Sequence, residues 1–180
     1  MIAGTFRSRQ LAAPRGMATR PTSDKLRGTL FNILAPRIEG CRFVDLYAGT
    51  GAVGIEALSR GAGHVWFAEK AAPAVATIRA NLAALKVERG FTLEARGVRV
   101  LLERLSGPVD VVFLDPPYEA AAEYAGTLEF LGSRDLLAPG GVVVAEHGSK
   151  VRLAERYGAL VQTRVVKQGD AALSFFALGE

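Results

Sequence analysis

The chain has 180 residues, 49% of them hydrophobic, with 22 Lys and Arg, 18 Asp and Glu, and a single cysteine. That is enough apolar material to bury a continuous core without disulfides or metals, and it predicts one domain, 1–180. A lone Cys41 excludes an intramolecular disulfide and a cysteine-rich zinc site. With no apolar run long enough to span a membrane and no signal peptide, the expected compartment is the reducing cytoplasm.

The net charge of +4 is unevenly spread. Residues 1–40 carry seven basic side chains (Arg7, Arg9, Arg15, Arg20, Lys25, Arg27, Arg37) against Asp24 and Glu39, so the other 140 residues sum to −1. Residues 1–12 read as extended, with Ile2, Phe6 and Leu11 among Arg and Ser, and Pro14-Arg15-Gly16 reads as loop, which predicts a basic arm or small hairpin over 1–22. Guanidinium groups pair bidentately with phosphates, so the cluster favours nucleic acid over a merely solvated face. Thr22 or Ser23 caps a helix with Leu26, Leu30, Phe31 and Leu34 on one side, and Pro36 is expected to stop it. Lys25 and Arg27 begin that helix beside the arm.

Phe43 to Leu46 is a short buried strand that opens into a glycine-rich turn, and Ala52 to Ser59 begins a helix. Gly49, Gly51 and Gly54 satisfy Gly-x-Gly-x-x-Gly, the pattern of a nucleotide loop at a helix start. Asp45, four residues before the first glycine, would repel a dinucleotide's pyrophosphate, which argues against an NAD-dependent oxidoreductase. It suits a cation such as S-adenosylmethionine, which carries a sulfonium, an ammonium and no phosphate. The alternative is an ordinary tight turn with Asp45 as a helix-capping residue. A second strand, His64 to Ala68, ends at Glu69, where an acid is placed to accept both ribose hydroxyls of an adenosine.

Pro73 suits the first turn of a helix with Val75, Ile78, Leu82 and Leu85 on one face. Phe91 to Ala95 is a third strand, a helix follows around Val98 to Leu105, and Val109 to Leu114 is a fourth strand, apolar enough to be central in a parallel sheet. A helix over Glu119 to Leu131, a turn at Pro139-Gly140-Gly141 and a fifth strand, Val142 to Glu146, come next. Gly158 to Lys167 and Ala171 to Leu178 read as a closing hairpin. The alternation specifies an α/β three-layer fold, Rossmann-like, with a mostly parallel sheet, an antiparallel C-terminal end and helices on both faces.

Directly after the fourth strand stand Asp115, Pro116, Pro117 and Tyr118. Two prolines end the strand and stiffen a turn at the carboxyl edge of the sheet, where open α/β folds bind ligands. An exocyclic nucleobase amine is a poor nucleophile because its lone pair is delocalised into the ring. The Asp115 carboxylate and the Pro116 carbonyl, accepting its two N–H bonds, would aim that lone pair at a methyl sulfonium, and Tyr118 offers a ring for stacking the base.

Together these motifs resemble the class I S-adenosylmethionine-dependent amino-methyltransferases. Arg20-Pro21-Thr22, Leu30-Phe31-Asn32-Ile33-Leu34, Tyr47-Ala48-Gly49-Thr50-Gly51 and Gly169-Asp170 extend the likeness to the RsmD family in particular, over nearly the whole chain. That family methylates the N2 amine of a guanine in bacterial 16S ribosomal RNA. The resemblance implies S-adenosylmethionine contacts at Asp45, Tyr47, Ala48, Gly49, Thr50, Gly51, Glu69, Lys70, Arg96 and Gly97, and target-amine contacts at Asp115, Pro116, Pro117 and Tyr118. It implies RNA contacts at Arg7, Arg9, Arg20, Thr22, Lys25 and Arg27, within a small ribosomal subunit or assembly intermediate, and a monomeric enzyme with a catalytic core over 23–180 and no metal. Where many relatives carry Asp or Asn after the third strand, this chain has Ala95-Arg96-Gly97, so main-chain groups are expected to meet the adenine. The competing readings are another RNA or DNA amino-methyltransferase and a non-catalytic ribosome-assembly factor.

Overall fold

The computed structural model describes residues 1–13, 24–117 and 121–179. Five strands, β1 (Arg42–Leu46), β2 (His64–Ala68), β3 (Phe91–Glu94), β4 (Val109–Leu114) and β5 (Leu137–Gly148), alternate with helices α2 (Ala52–Ser59), α3 (Ala72–Ala84), α4 (Val98–Arg104) and α5 (Ala121–Gly132). Helix α1 (Asp24–Leu34) precedes them, and β6 (Arg156–Tyr157), β7 (Leu160–Gln168) and β8 (Ala171–Leu178) follow. The strands form one sheet in the order β3-β2-β1-β4-β5-β8-β7-β6. The first five are parallel and the last three pair antiparallel, as the α/β reading required.

Strand β1 leads to β2 on one side, while β4 returns to the other side of β1. Chain direction across the sheet therefore reverses between β1 and β4, which opens a crevice at their carboxyl ends. Those ends are level: Leu46 is opposite both Ala68 and Leu114, and Leu114 is opposite Ala145. Residues that follow these strands are delivered to one edge.

Alternation along each strand sends side chains to opposite faces. Phe43, Phe67, Phe113 and Val144 pack with Leu30 and Phe31 of α1, Ile55 of α2, and Ile78 and Leu82 of α3. Val44, Leu46, Val112 and Val143 pack with Leu101 and Leu102 of α4 and Leu128 and Leu131 of α5. Phe31 and Phe43 stack with ring centroids 6.2 Å apart, and both are fully buried. Each such side chain contributes about 1.5–3 kcal/mol, so this contact fixes α1 to the sheet.

The structure departs from the expected elements in three places. Residues 1–13 form turns and join no strand, because Ile2 and Ala3 donate their N–H groups to the Glu56 carboxylate and Phe6 donates to Ser59 Oγ. Backbone donors spent on α2 are unavailable for a ladder. As expected, α1 stops short of Pro36, at Leu34, and only a tighter 3-10 turn, Ala35–Arg37, carries the chain past it. Pro139-Gly140-Gly141 is absorbed into β5 as an irregularity against β4, between Val109 and Val111. The short β6 is too brief to leave a periodicity. Thr22 and Ser23, the expected caps of α1, lie outside the described residues, as does the first part of the expected helix from Glu119.

Candidate cofactor and substrate site

The glycine loop leaves β1 through Tyr47, whose φ of +59° is uncommon for a non-glycine residue. Ala48 N–H donates to Ala68 O (3.0 Å) and Gly51 N–H to Ala48 O (2.7 Å), which ties the loop to β2 and closes the turn. The three glycines do different work. A Cβ on Gly54 would lie 2.3 Å from Phe67 Cε1 and 2.9 Å from Val65 Cγ1, so this residue lets α2 lie against the sheet. Gly51, at φ +77°, is the N-cap of α2. Gly49 has φ +56° and nothing within 4 Å of where its Cβ would be, so its face of the loop is open.

Asp45 is 1% exposed and lies beneath this loop. Its Oδ2 accepts the Gly54 N–H at 2.8 Å, capping the first turn of α2 from the neighbouring strand. Burial pushes its carboxyl up to about 8, opposed by the Gly54 hydrogen bond and assisted by the charge of Glu69.

Glu69 stands half-buried at the end of β2. Its Oε2 accepts the Gly49 N–H (2.9 Å), and its Oε1 accepts the N–H groups of Lys70 (2.8 Å) and Ala71 (2.9 Å). Three main-chain donors hold this carboxylate still while leaving it acceptor capacity. Across from it, Gly97 has φ +102°, and a Cβ there would come within 3.5 Å of Lys70 Cβ. The β2 and β3 ends thus approach closely, helped by Glu69 N–H donating to Glu94 O (3.1 Å). Arg96 is committed to Glu94 through Nε (2.8 Å) and Nη2 (2.7 Å), and its hydrogen bond is the largest cause of the Glu94 carboxyl falling to about 2. Its side chain stiffens the loop after β3.

Asp115 follows β4, half-buried, with its N–H on Leu46 O at 3.4 Å, so it stands beside the start of the glycine loop. Pro116 is buried and Pro117 exposed; Tyr118 lies outside the described residues. Tyr47 turns its ring away from the open face of the loop. Its hydroxyl meets Glu123 Oε2 and Thr127 Oγ1, each at 2.8 Å, in a cleft of about 340 Å³ between α4 and α5. Burial raises that phenol to about 12, with the Thr127 hydrogen bond acting against the rise and Glu123 adding to it. A larger cavity, about 480 Å³, is lined by Arg37, Cys41 and Asp110 at the opposite edge of the sheet, remote from Asp115.

Arg7, Arg9 and Lys25 are exposed. Arg27 is not: it is 6% exposed and pairs with Asp24 at 2.7 Å, so it faces the body of the fold more than solvent. Arg20 and Thr22 fall outside the described residues. Sequence reasoning passed over Asn81, a 3% exposed amide that joins α3 to both the arm and Thr50 of the glycine loop. The available signal was a polar residue inside the apolar face of α3, between Ile78 and Leu82.

A glycine loop over β1, an anchored acid after β2 and an Asp-Pro-Pro turn after β4, on this strand order, define a class I methyltransferase fold. The chain belongs to the family described as conserved hypothetical protein 95, the RsmD family, whose model matches residues 1–177. YlbH of Bacillus subtilis (strain 168), provisionally named an rRNA methyltransferase, is 34% identical over 180 residues, covering 98% of this chain and 97% of that protein. Ribosomal RNA small subunit methyltransferase D of Haemophilus influenzae is 35% identical over 150 residues, 81% of this chain and 77% of its own length. Among solved structures, yhhF from Escherichia coli, provisionally named a methyltransferase, superposes with a TM-score of 0.84 at 31% identity, covering 98% of this chain and 95% of that one.

Proposed function

We propose that this chain transfers a methyl group from S-adenosylmethionine to the exocyclic N2 amine of a guanine in small-subunit ribosomal RNA. The observation that carries the reading is the Glu69 carboxylate, held by Gly49, Lys70 and Ala71 beside the open face of Gly49 and at the same edge as Asp115. The residues fit the cofactor: a side chain at Gly49 would fill the cradle, and Oε2 of Glu69, which takes one main-chain donor where Oε1 takes two, retains acceptor capacity for a ribose hydroxyl. When bound, S-adenosylmethionine supplies an electrophilic methyl on a sulfonium.

Asp45 gives the floor of the site negative character whenever it is ionised, which favours a cation above it. Gly97 and the main chain after β3 close the adenine end, with Arg96 bracing that loop through Glu94. Asp115 and the Pro116 carbonyl accept hydrogen bonds from the two N–H groups of the target amine and turn its lone pair toward the methyl group. After transfer the nitrogen is cationic and acidic, and Asp115 takes its proton. Arg7, Arg9 and Lys25 present exposed cations to the RNA backbone, and Tyr118 offers its ring to the extruded base.

Incubation with labelled S-adenosylmethionine and 16S RNA from cells lacking the enzyme, as naked RNA and as small-subunit particles, tests this directly. The expected product is N2-methylguanosine, identified by mass. Label on another base, or RNA binding without any label, would replace the proposal with a different amino-methyltransferase or with an assembly factor.

A further inference from the structure

Asn81 occupies the middle of α3, yet its side chain serves two segments outside that helix. Its Oδ1 accepts the Ala12 N–H at 2.7 Å, and its Nδ2 donates to Ala12 O at 3.2 Å and to Thr50 O at 3.0 Å. Ala12 presents a donor and an acceptor while Thr50 presents only an acceptor, so a single orientation of the amide satisfies all of them. Asparagine is a poor helix former, and a buried amide without partners is costly, so the residue is explained by these bonds and not by α3.

The arm on the other side of this tie is fixed at both ends. Ile2 and Ala3 bond the Glu56 carboxylate, Phe6 bonds Ser59 Oγ, and Ser59 Oγ donates back to Ala3 O at 2.6 Å. Between these anchors and Ala12 lie Arg7 and Arg9, both exposed, on a turn braced by Arg7 N–H to Gly4 O (3.1 Å) and Arg9 N–H to Phe6 O (3.1 Å). Displacement of the arm is therefore handed to Ala12, from Ala12 to Asn81, and from Asn81 to Thr50 between the two loop glycines.

We infer that Asn81 is a positioning residue that couples the seating of the N-terminal arm to the shape of the glycine loop, so that a polyanion held by the arm and a cofactor held by the loop favour each other's binding. The inference rests on the cofactor reading of that loop. Coupling of this kind is reciprocal: whatever factor the seated arm adds to cofactor affinity, the cofactor adds to affinity at the arm.

The test titrates the full chain with S-adenosylhomocysteine by calorimetry. Asn81→Asp keeps the acceptor for the Ala12 N–H, removes both N–H donors and sets a carboxylate against two carbonyls; affinity is expected to fall about tenfold. Ser59→Ala loosens the arm at its far end and leaves the loop untouched; affinity is expected to fall about fivefold, the lower end of the usual range of coupling energies, in the unmutated background and not at all in the Asn81→Asp background. The same factor in both backgrounds, or unchanged affinity in a folded Asn81→Asp protein, would overturn the inference. If Asn81→Asp does not fold, hydrogen exchange over residues 48–52 in Ser59→Ala decides: faster exchange there than in the unmutated chain supports the tie, and unchanged exchange refutes it. An unmutated chain that binds no S-adenosylhomocysteine sinks the cofactor reading, while the exchange measurement still judges the tie by itself.

Discussion

Gly54 and Gly49 belong to one sequence pattern but predict opposite phenotypes when changed to alanine. In Gly54→Ala the new methyl would sit 2.3 Å from Phe67 Cε1, 2.9 Å from Phe67 Cζ and 2.9 Å from Val65 Cγ1, all on fully buried side chains. Neither the ring nor the valine has free space to retreat into, so relief requires α2 to lift from the sheet. Overpacking costs typically 1–3 kcal/mol, and three contacts this short place Gly54→Ala at the top of that range, about 3 kcal/mol. With a urea m-value of about 2 kcal/mol/M, the unfolding midpoint should drop by roughly 1.5 M. In Gly49→Ala the methyl meets nothing, and only the φ of +56° resists it, at a cost of about 1–2 kcal/mol. That methyl would instead occupy the open face of the loop, so S-adenosylhomocysteine affinity should fall by at least about tenfold, more than its loss of stability accounts for. Urea titration and calorimetry on both variants check the pair. A Gly54→Ala protein within about 0.5 kcal/mol of the parent, or a Gly49→Ala protein with parental affinity, would refute the division of labour.

Asp115→Ala should abolish methyl transfer to small-subunit particles while S-adenosylhomocysteine affinity, read by calorimetry, changes less than about threefold; full residual transfer would remove the acceptor role. Asp45, raised by burial to about 8, keeps in the folded chain a proton that the unfolded chain releases near pH 4. Its contribution is complete below about pH 4 and is lost as pH rises toward about 8. Asp45→Asn should therefore lessen the decline of unfolding free energy between about pH 5 and 7 by about 1 kcal/mol per pH unit; parallel profiles for parent and variant would contradict this. Arg7→Ala combined with Arg9→Ala should lower the slope of log affinity for 16S RNA against log salt by about 1.5, and an unchanged slope would return both arginines to the solvated surface.

The sheet was readable because its signals are local and redundant. Val109 to Leu114 is apolar but for Asp110 and lies between β1 and β5, and Pro73 stands in the first turn of α3, where its missing N–H is harmless. Glu69 and Asp115 were legible by position, since whatever follows a parallel strand arrives at the carboxyl edge. What could not be read was how side chains far apart in sequence share backbone groups. The arm looked extended because Arg and Ser between apolar residues resemble an edge strand, whereas its donors are claimed by Glu56 and Ser59 more than fifty positions away. Tyr47 and Arg96 stand in the expected loops, but Thr127 and Glu94 draw their polar ends aside. Arg27 looked like one more surface cation, but helix α1 buries it and leaves its partner Asp24 at the surface.

The way residues 1–12 are fastened also sets an order of events during synthesis. Ile2 waits for Glu56, 54 positions later, and Ala12 for Asn81, 69 positions later. At about 5–20 residues per second, this segment stays unattached for roughly 3–14 seconds after it is made. During that interval Phe6 and Leu11 have no core to cover them, and Arg7, Arg9 and Gln10 alongside serve as the charged and polar neighbours that keep a nascent chain from sticking to another. The same arginines thus have a task before the protein is finished, at a stage when neither loop nor crevice exists.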